Sequence, residues 1–281
     1  MVKRRQPTPT VDMDHHIKEF YRCSPDESPS GNFHAVISLH EAPDVRWEEI
    51  SAKTPLLPRG WYELAHLDSK DRVEFTRDFW MMKIPYRERL TPFIDRFFSS
   101  VDDICVFLTQ KKFSDPFEAH LVYSLRGNTG FYQGLPPITE KNQAALQAAF
   151  PKYLLPPDYL AFLQIHDGFS KTTDCTGLTH SLGVIELYQI FQEFLAEKDP
   201  LLTSQGVPVN PETLIPFYES FGMPFYQCFW AEWYPEQEMG NVYYSGEAHT
   251  ISDVFCGASS AETMAFATFT EWLMFYLERV V

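Results

Sequence analysis

The chain has 281 residues, 44% of them apolar and 16% aromatic, and a net charge of −15; that is more than one hydrophobic core usually organises, so two folded units are expected. The charge is uneven: residues 1–136 hold 18 Lys/Arg against 20 Asp/Glu, whereas residues 137–281 hold 5 against 18, a net of −13. A C-terminal half of this kind repels phosphate backbones and anionic lipid, which argues against direct contact with nucleic acid or membrane, and it attracts basic proteins.

Cys23, Cys105, Cys175, Cys228 and Cys256 form an odd set at irregular spacings without a CxxC pair. This is the pattern of reduced cytoplasmic thiols and not of a disulfide framework or a zinc site. Met1 to Arg5 is basic, but Gln6-Pro-Thr-Pro-Thr10 stands where a signal peptide would need an apolar run. The most apolar stretch, Met264 to Leu277, is interrupted by Glu271 and falls short of the roughly 18 residues needed to span a bilayer. A soluble cytoplasmic protein is expected.

In chain order, residues 1–30 carry Pro7, Pro9, Pro25 and Pro29 and little apolar periodicity, which reads as a disordered lead-in. Asp12, Asp14, His15 and His16 lie close together there, but a metal site needs ligands held by packing, and the expectation is exposed, flexible side chains. Residues 31–136 read as a smaller α+β unit. Strand-like composition marks His34–Leu39 and Trp61–Leu67, and a helix opening at Ser69 should end before Pro85. A second helix is expected over Arg87–Ser99, with Leu90, Phe93, Ile94, Phe97 and Phe98 at the spacing of a buried face. Ile104–Leu108 and Ala119–Leu125 look like an antiparallel pair across a solvated turn containing Lys111 and Lys112. Pro136-Pro137 coincides with the change in charge and is the expected boundary.

Residues 137–281 begin with a helix capped by Thr139 and stopped by Pro151. In Leu155-Pro-Pro-Asp-Tyr-Leu-Ala-Phe-Leu-Gln-Ile-His-Asp-Gly168, Pro157 suits a first helical turn and Asp158 complements its positive end. Tyr159, Phe162, Leu163 and His166 share a face, His166 lies near the C-terminal end where an imidazolium is welcome, and Gly168 can end the helix in the left-handed conformation. Val184–Leu195 follows, with Leu187, Ile190, Phe191 and Phe194 at helical spacing. Short strands are expected at Leu214–Phe217, Phe225–Trp230, Asn241–Tyr244 and Ile251–Phe255. A closing helix has a capping box in Thr268 and Glu271 and a stripe of Phe269, Leu273, Tyr276, Leu277 and Val280. Helices, then strands, then a helix make an α+β domain with a mostly antiparallel sheet flanked by helices.

Three strings in this half resemble the SUKH superfamily, first described in yeast cell-wall assembly regulators. Leu155-Pro-Pro-Asp-Tyr159 with Phe162, Leu163 and Asp167-Gly168 is similar to its L-P-x-D-Y-x-x-F-L-x-x-x-N/D-G helix. Leu214-Ile-Pro-Phe217 resembles its leading strand, and Thr268-Phe-Thr-Glu-Trp-Leu273 its closing S-F-x-x-F/W-L helix. The sequence departs from the family after Phe217, where Glu219-Ser-Phe-Gly-Met-Pro224 replaces a Gly/Asp-rich turn. The resemblance implies a non-enzymatic scaffold that binds proteins, acting either as an immunity protein against a toxin or as a regulatory adaptor. It implies no particular contact residues, and it does not extend to residues 1–136.

An enzyme would have to enlist Cys175 with His180 or Cys228 with His249, yet no motif is present to activate a thiol, and Cys228 reads as an in-pointing strand residue. No GxGxxG, Walker loop, HExxH or GxSxG occurs. The expectation is therefore no catalytic residue, no cofactor and no metal, the alternative being an enzyme with an unrecognised site in the first unit or at its junction with the second. The candidate partner-binding residues lie in Phe229-Trp-Ala-Glu-Trp-Tyr-Pro-Glu-Gln-Glu238. Alternation cannot bury all of Trp230, Trp233 and Tyr234 beside Glu232, Glu236 and Glu238, so aromatic surface ringed by carboxylates is expected, with Tyr243 and Tyr244 extending it toward a basic protein.

Overall fold

The computed structural model describes residues 13–22, 32–85, 88–220, 222–254 and 263–278. The chain divides into two compact units, one of residues 1–74 and 100–131 and one of residues 75–99 and 132–281.

In the first unit, β1 (Ala35–Ser38), β2 (Val101–Gln110) and β3 (Glu118–Leu125) form an antiparallel sheet with β2 in the middle. The expected β2–β3 hairpin is present, and Lys111 and Lys112 are exposed at its turn. Within the stretch expected to be disordered, α1 (His15–Phe20) is an ordered helix. Its Ile17 and the following Tyr21 are buried with Phe33, Phe107, Val122 and Phe131, and that apolar contact fixes a segment whose composition alone is uninformative. Asp14 is likewise not a flexible surface group: it is buried, one carboxylate oxygen accepts from His16 N–H at 2.8 Å, and the other accepts from Gly130 N–H at 3.3 Å. Two further helices follow, α2 (Trp47–Lys53) and α3 (Arg59–Ala65). The strand expected at Trp61–Leu67 is thus a helix. Its buried residues, Trp61 and Ala65, are four apart, which is one helical turn, and a short apolar run fits either periodicity.

The division between the units falls within α4 (Ser69–Lys83), the helix expected to end before Pro85. Helix α5 (Thr91–Ser100) starts later than expected, with Pro92 in its first turn, and buries Ile94, Phe97 and Phe98. Arg87 lies outside the described residues. Trp80 of α4 is fully buried in the second unit among the rings of Phe97, Phe98, Phe162, His166 and Phe169.

The second unit continues with β4 (Phe131–Gly134), α6 (Glu140–Ala149), α7 (Pro157–Leu163), β5 (Phe169–Lys171), β6 (Thr176–Leu178) and α8 (Ser181–Ala196). It ends with β7 (Leu202–Thr203), β8 (Leu214–Ser220), β9 (Met223–Trp230), β10 (Asn241–Ser245), β11 (Thr250–Ile251), β12 (Ala265–Phe266) and α9 (Phe269–Glu278). Strands run in the order β4-β5-β6-β8-β9-β10-β11-β7, with β12 on β10. The pairings from β4 to β11 are antiparallel, and β11–β7 is parallel. The β8–β9 hairpin forms despite its departure from the family pattern: pairing runs to Ser220 opposite Met223, and Gly222 supplies the positive φ of 84° that the turn needs.

Successive residues of a strand point to opposite faces, and this sheet is covered on both. On one face Leu214, Cys228, Trp230, Val242 and Tyr244 pack with Phe191 and Leu195 of α8. Ile190, at helical spacing with Leu187 and Phe191, is exposed. On the other face Phe217 and Phe229 stack at 4.1 Å beneath Tyr159 of α7 and Phe269 of α9. The three family-like strings therefore meet in one aromatic core.

Two buried aspartates join those strings. Asp158 accepts from the Thr270 N–H at 2.8 Å and the Thr270 hydroxyl at 2.6 Å, holding the start of α9. Asp167 does the same for α8, accepting from Ser181 N–H at 2.6 Å and its hydroxyl at 2.8 Å. Each carboxylate answers N–H groups that a helix leaves unpaired in its first turn. The expected caps also form. The Thr139 hydroxyl accepts from Asn142 N–H, the Thr268 hydroxyl accepts from Glu271 N–H, and the Glu271 carboxylate reaches back to Ala267 N–H.

Helix α7 is shorter than expected, ending at Leu163 with Gln164 as its cap, so Gly168, with φ of 106°, leads into β5 and does not close the helix. His166 is fully buried, its Nδ1 donating to the Leu135 carbonyl at 2.9 Å. Burial pushes its pKa down to about 4, so the ring is neutral and the imidazolium expected there does not form near neutral pH.

Candidate functional site

The loop from 231 to 240 joins β9 to β10. Its base is closed by backbone bonds, Trp230 N–H to Gly240 O and Gly240 N–H to Trp233 O, both 2.9 Å. The indole of Trp233 covers Gly240 so closely that a Cβ there would stand 2.3 Å from the ring, which is why a residue without a side chain occupies the position. The outer part of the loop is consequently presented on a fixed base.

The sequence-derived candidates separate by burial. Trp230 is 7% exposed and Tyr244 is fully buried, both in the core beneath α8. These two cannot present their rings to a partner. In an antiparallel sheet covered on both faces, even the polar-flanked side of β9 and β10 points inward. Glu232, Tyr234 and Glu236 are exposed, Tyr234 by 46%, while Trp233, Glu238 and Tyr243 are partly exposed. Glu236 also lines a cleft of about 360 Å³ together with Glu88, Arg89, Thr270, Glu271 and Met274.

Residues that the sequence reading passed over stand next to the loop. Ala231 N–H donates to Thr213 O at 2.8 Å, which ties the start of the loop to the short helical turn Pro211–Thr213. The hydroxyls of Tyr188 and Tyr153 donate to the backbone carbonyl of Glu212 at 3.0 and 3.5 Å. The Tyr153 phenol is harder to ionise than usual, first through burial and then through its acidic neighbours Glu212, Glu232 and Tyr234. No local pattern announces this grouping, because its members come from four separate stretches of chain.

Of the groups that an enzyme would have enlisted, Cys228, His180 and His249 have structural engagements. Cys228 is buried in the core, and burial raises its thiol pKa well above the usual value. His249 donates through Nε2 to the Asp199 carbonyl at 2.7 Å, with its Nδ1 3.0 Å from the Tyr244 hydroxyl. His180 caps α8, its Nδ1 accepting from Gly183 N–H at 3.1 Å. Cys175 is exposed, with φ of 51°. Cys23 and Cys256 lie outside the described residues, as does Asp12 of the N-terminal acidic and histidine run. Asp14, His15 and His16 have ligand-type atoms within 4.8 Å of one another, but both oxygens of Asp14 already serve the helix cap and Gly130. No described helix is long and apolar enough to cross a membrane.

No curated protein matches the chain. The model of the SMI1 / KNR4 family (SUKH-1) matches residues 137–274, the stretch that contains the Asp158 and Asp167 clamps, the hairpin β8–β9 and the helix α9. The C-terminal half of the chain is thus a SUKH domain of the SMI1 / KNR4 family.

Proposed function

We propose that the chain is a non-enzymatic binding module of the kind its SUKH domain suggests, an immunity protein or a regulatory adaptor, and that it engages a basic protein through the 231–240 loop. The observation that carries this reading is the exposed phenol of Tyr234 between the exposed carboxylates Glu232 and Glu236. Trp233, clamped on Gly240, keeps that group on a rigid base. A half-exposed aromatic ring supplies contact area at a low cost in side-chain entropy, and the carboxylates around it steer a positively charged partner and disfavour a negative one. Trp233, Glu238 and Tyr243 form the margin of this face, and Trp230 and Tyr244 support it from the core. The excess of 18 Asp/Glu over 5 Lys/Arg in residues 137–281 extends the same field around the loop.

Capture of a partner by the full chain, followed by association kinetics at several salt concentrations, tests the reading. Charge reversal at Glu232 or Glu236 should slow association and flatten its salt dependence. Tyr234→Ala should mainly speed dissociation, by about 2 kcal/mol if the ring is an anchor. A partner that binds equally well in low and high salt and is indifferent to all three changes would place the interface elsewhere.

A further inference from the structure

Beside the loop, hydrogen bonds to two backbone carbonyls bring together stretches of the SUKH domain that carry three tyrosines and two glutamates. Tyr153 comes from the turn after α6, Tyr188 from α8, Glu212 from the turn before β8, and Glu232 and Tyr234 from the loop itself. The bonds that assemble them use the backbone carbonyls of Glu212 and Thr213, so the Glu212 carboxylate is not what holds the turn together. Glu212 and Glu232 are exposed, and Leu154, next to Tyr153, is 79% exposed. The one carbonyl of Glu212 thus accepts from both tyrosine hydroxyls, and both side chains remain partly exposed, Tyr188 with its ring edge-on to the buried Phe150.

We propose that this surface is a socket for an arginine side chain of the partner protein, the guanidinium lying against the rings of Tyr153 and Tyr234 and donating to the carboxylates of Glu212 and Glu232. The inference rests on the basic-partner reading above and names the chemistry of that partner. Arginine fits better than lysine for three reasons. Its planar cation is weakly hydrated, it stacks on aromatic faces, and its fixed fork of N–H groups can serve two carboxylates at once, whereas an ammonium keeps its water and makes point contacts. Against Lys152, the exposed cation that precedes Tyr153, the two carboxylates leave the patch net negative.

The test is titration calorimetry of the full chain with end-blocked hexa-arginine and hexa-lysine peptides in low-salt buffer. Hexa-arginine should bind about tenfold more tightly. Tyr234→Leu, at a side chain that is 46% exposed and so outside the core, should lower that preference by about threefold. Adding Tyr153→Leu should bring it close to one, while the Phe variants, which keep the rings, should retain it. Glu212→Gln with Glu232→Gln should weaken both peptides. If the two peptides bind equally and the Leu variants change nothing, the socket is overturned while the acidic-face reading stands. If neither peptide binds, both fall.

Discussion

His166 shows what burial does to a single residue. Its helix-end position by sequence suggested a charged imidazolium, but the ring is enclosed by Trp80, Phe162 and Phe169 and has its pKa pushed down to about 4. The unfolded chain protonates this side chain near its ordinary value of 6.5. The stability contributed by the neutral ring is therefore complete above about pH 6.5 and is lost as the pH falls toward 4, by about 3 kcal/mol at the lower end. Urea midpoints measured from pH 7 to pH 4 should fall more steeply for the wild-type chain than for His166→Asn, which cannot titrate. Parallel curves would mean that the ring already carries its proton in the folded state. Gly134 belongs to the same constraint, since a Cβ there would stand 2.3 Å from the imidazole.

At the scale of elements, the domain is held together by carboxylates that cap helices from outside those helices. Asp158 lies on α7 and serves α9, and Asp167 lies after α7 and serves α8. The family-like strings are thus coupled parts of one joint, separated by more than a hundred residues in the case of Asp158 and Thr270. Asp158→Ala should cost about 2–3 kcal/mol, because it removes charge-assisted bonds and leaves buried donors unanswered. Combined with Thr270→Val in a double-mutant cycle read by urea denaturation, it should show coupling of about 1 kcal/mol or more. Additive losses would show that the two residues stabilise the fold independently.

For the whole molecule, the question is where the folded unit of the SUKH domain begins. The change in composition at Pro136-Pro137 suggests 137–281, and the family match begins there too. The packing of Trp80, Phe97 and Phe98 against Phe162 and Phe169 argues that residues 75–99 complete its core. On that proposal a fragment of residues 137–281 should melt well below the full chain and expose apolar surface. Trp80→Ala in the full chain should cost about 3–5 kcal/mol, as for other large buried rings. A fragment as stable as the parent would return residues 75–99 to the first unit.

What the sequence determined by itself is the part governed by local chemistry. Thr139 and the Thr268–Glu271 box mark helix starts because caps act over three or four residues, and the stripe of α9 is legible because its period is that of a helix. The order of the three strings was enough to point to the SUKH domain. The tertiary structure alone decided that Trp61–Leu67 is helical, since a short apolar run fits both periods until its neighbours are known. It also decided that Trp230 and Tyr244 face α8 and that Tyr234 stands exposed in the loop, because alternation along a strand says which residues share a side and not what packs against that side. The grouping of Tyr153, Tyr188, Glu212 and Glu232 was invisible for the same reason: contacts across such sequence distances leave no periodic trace and exist only once the chain has folded around them.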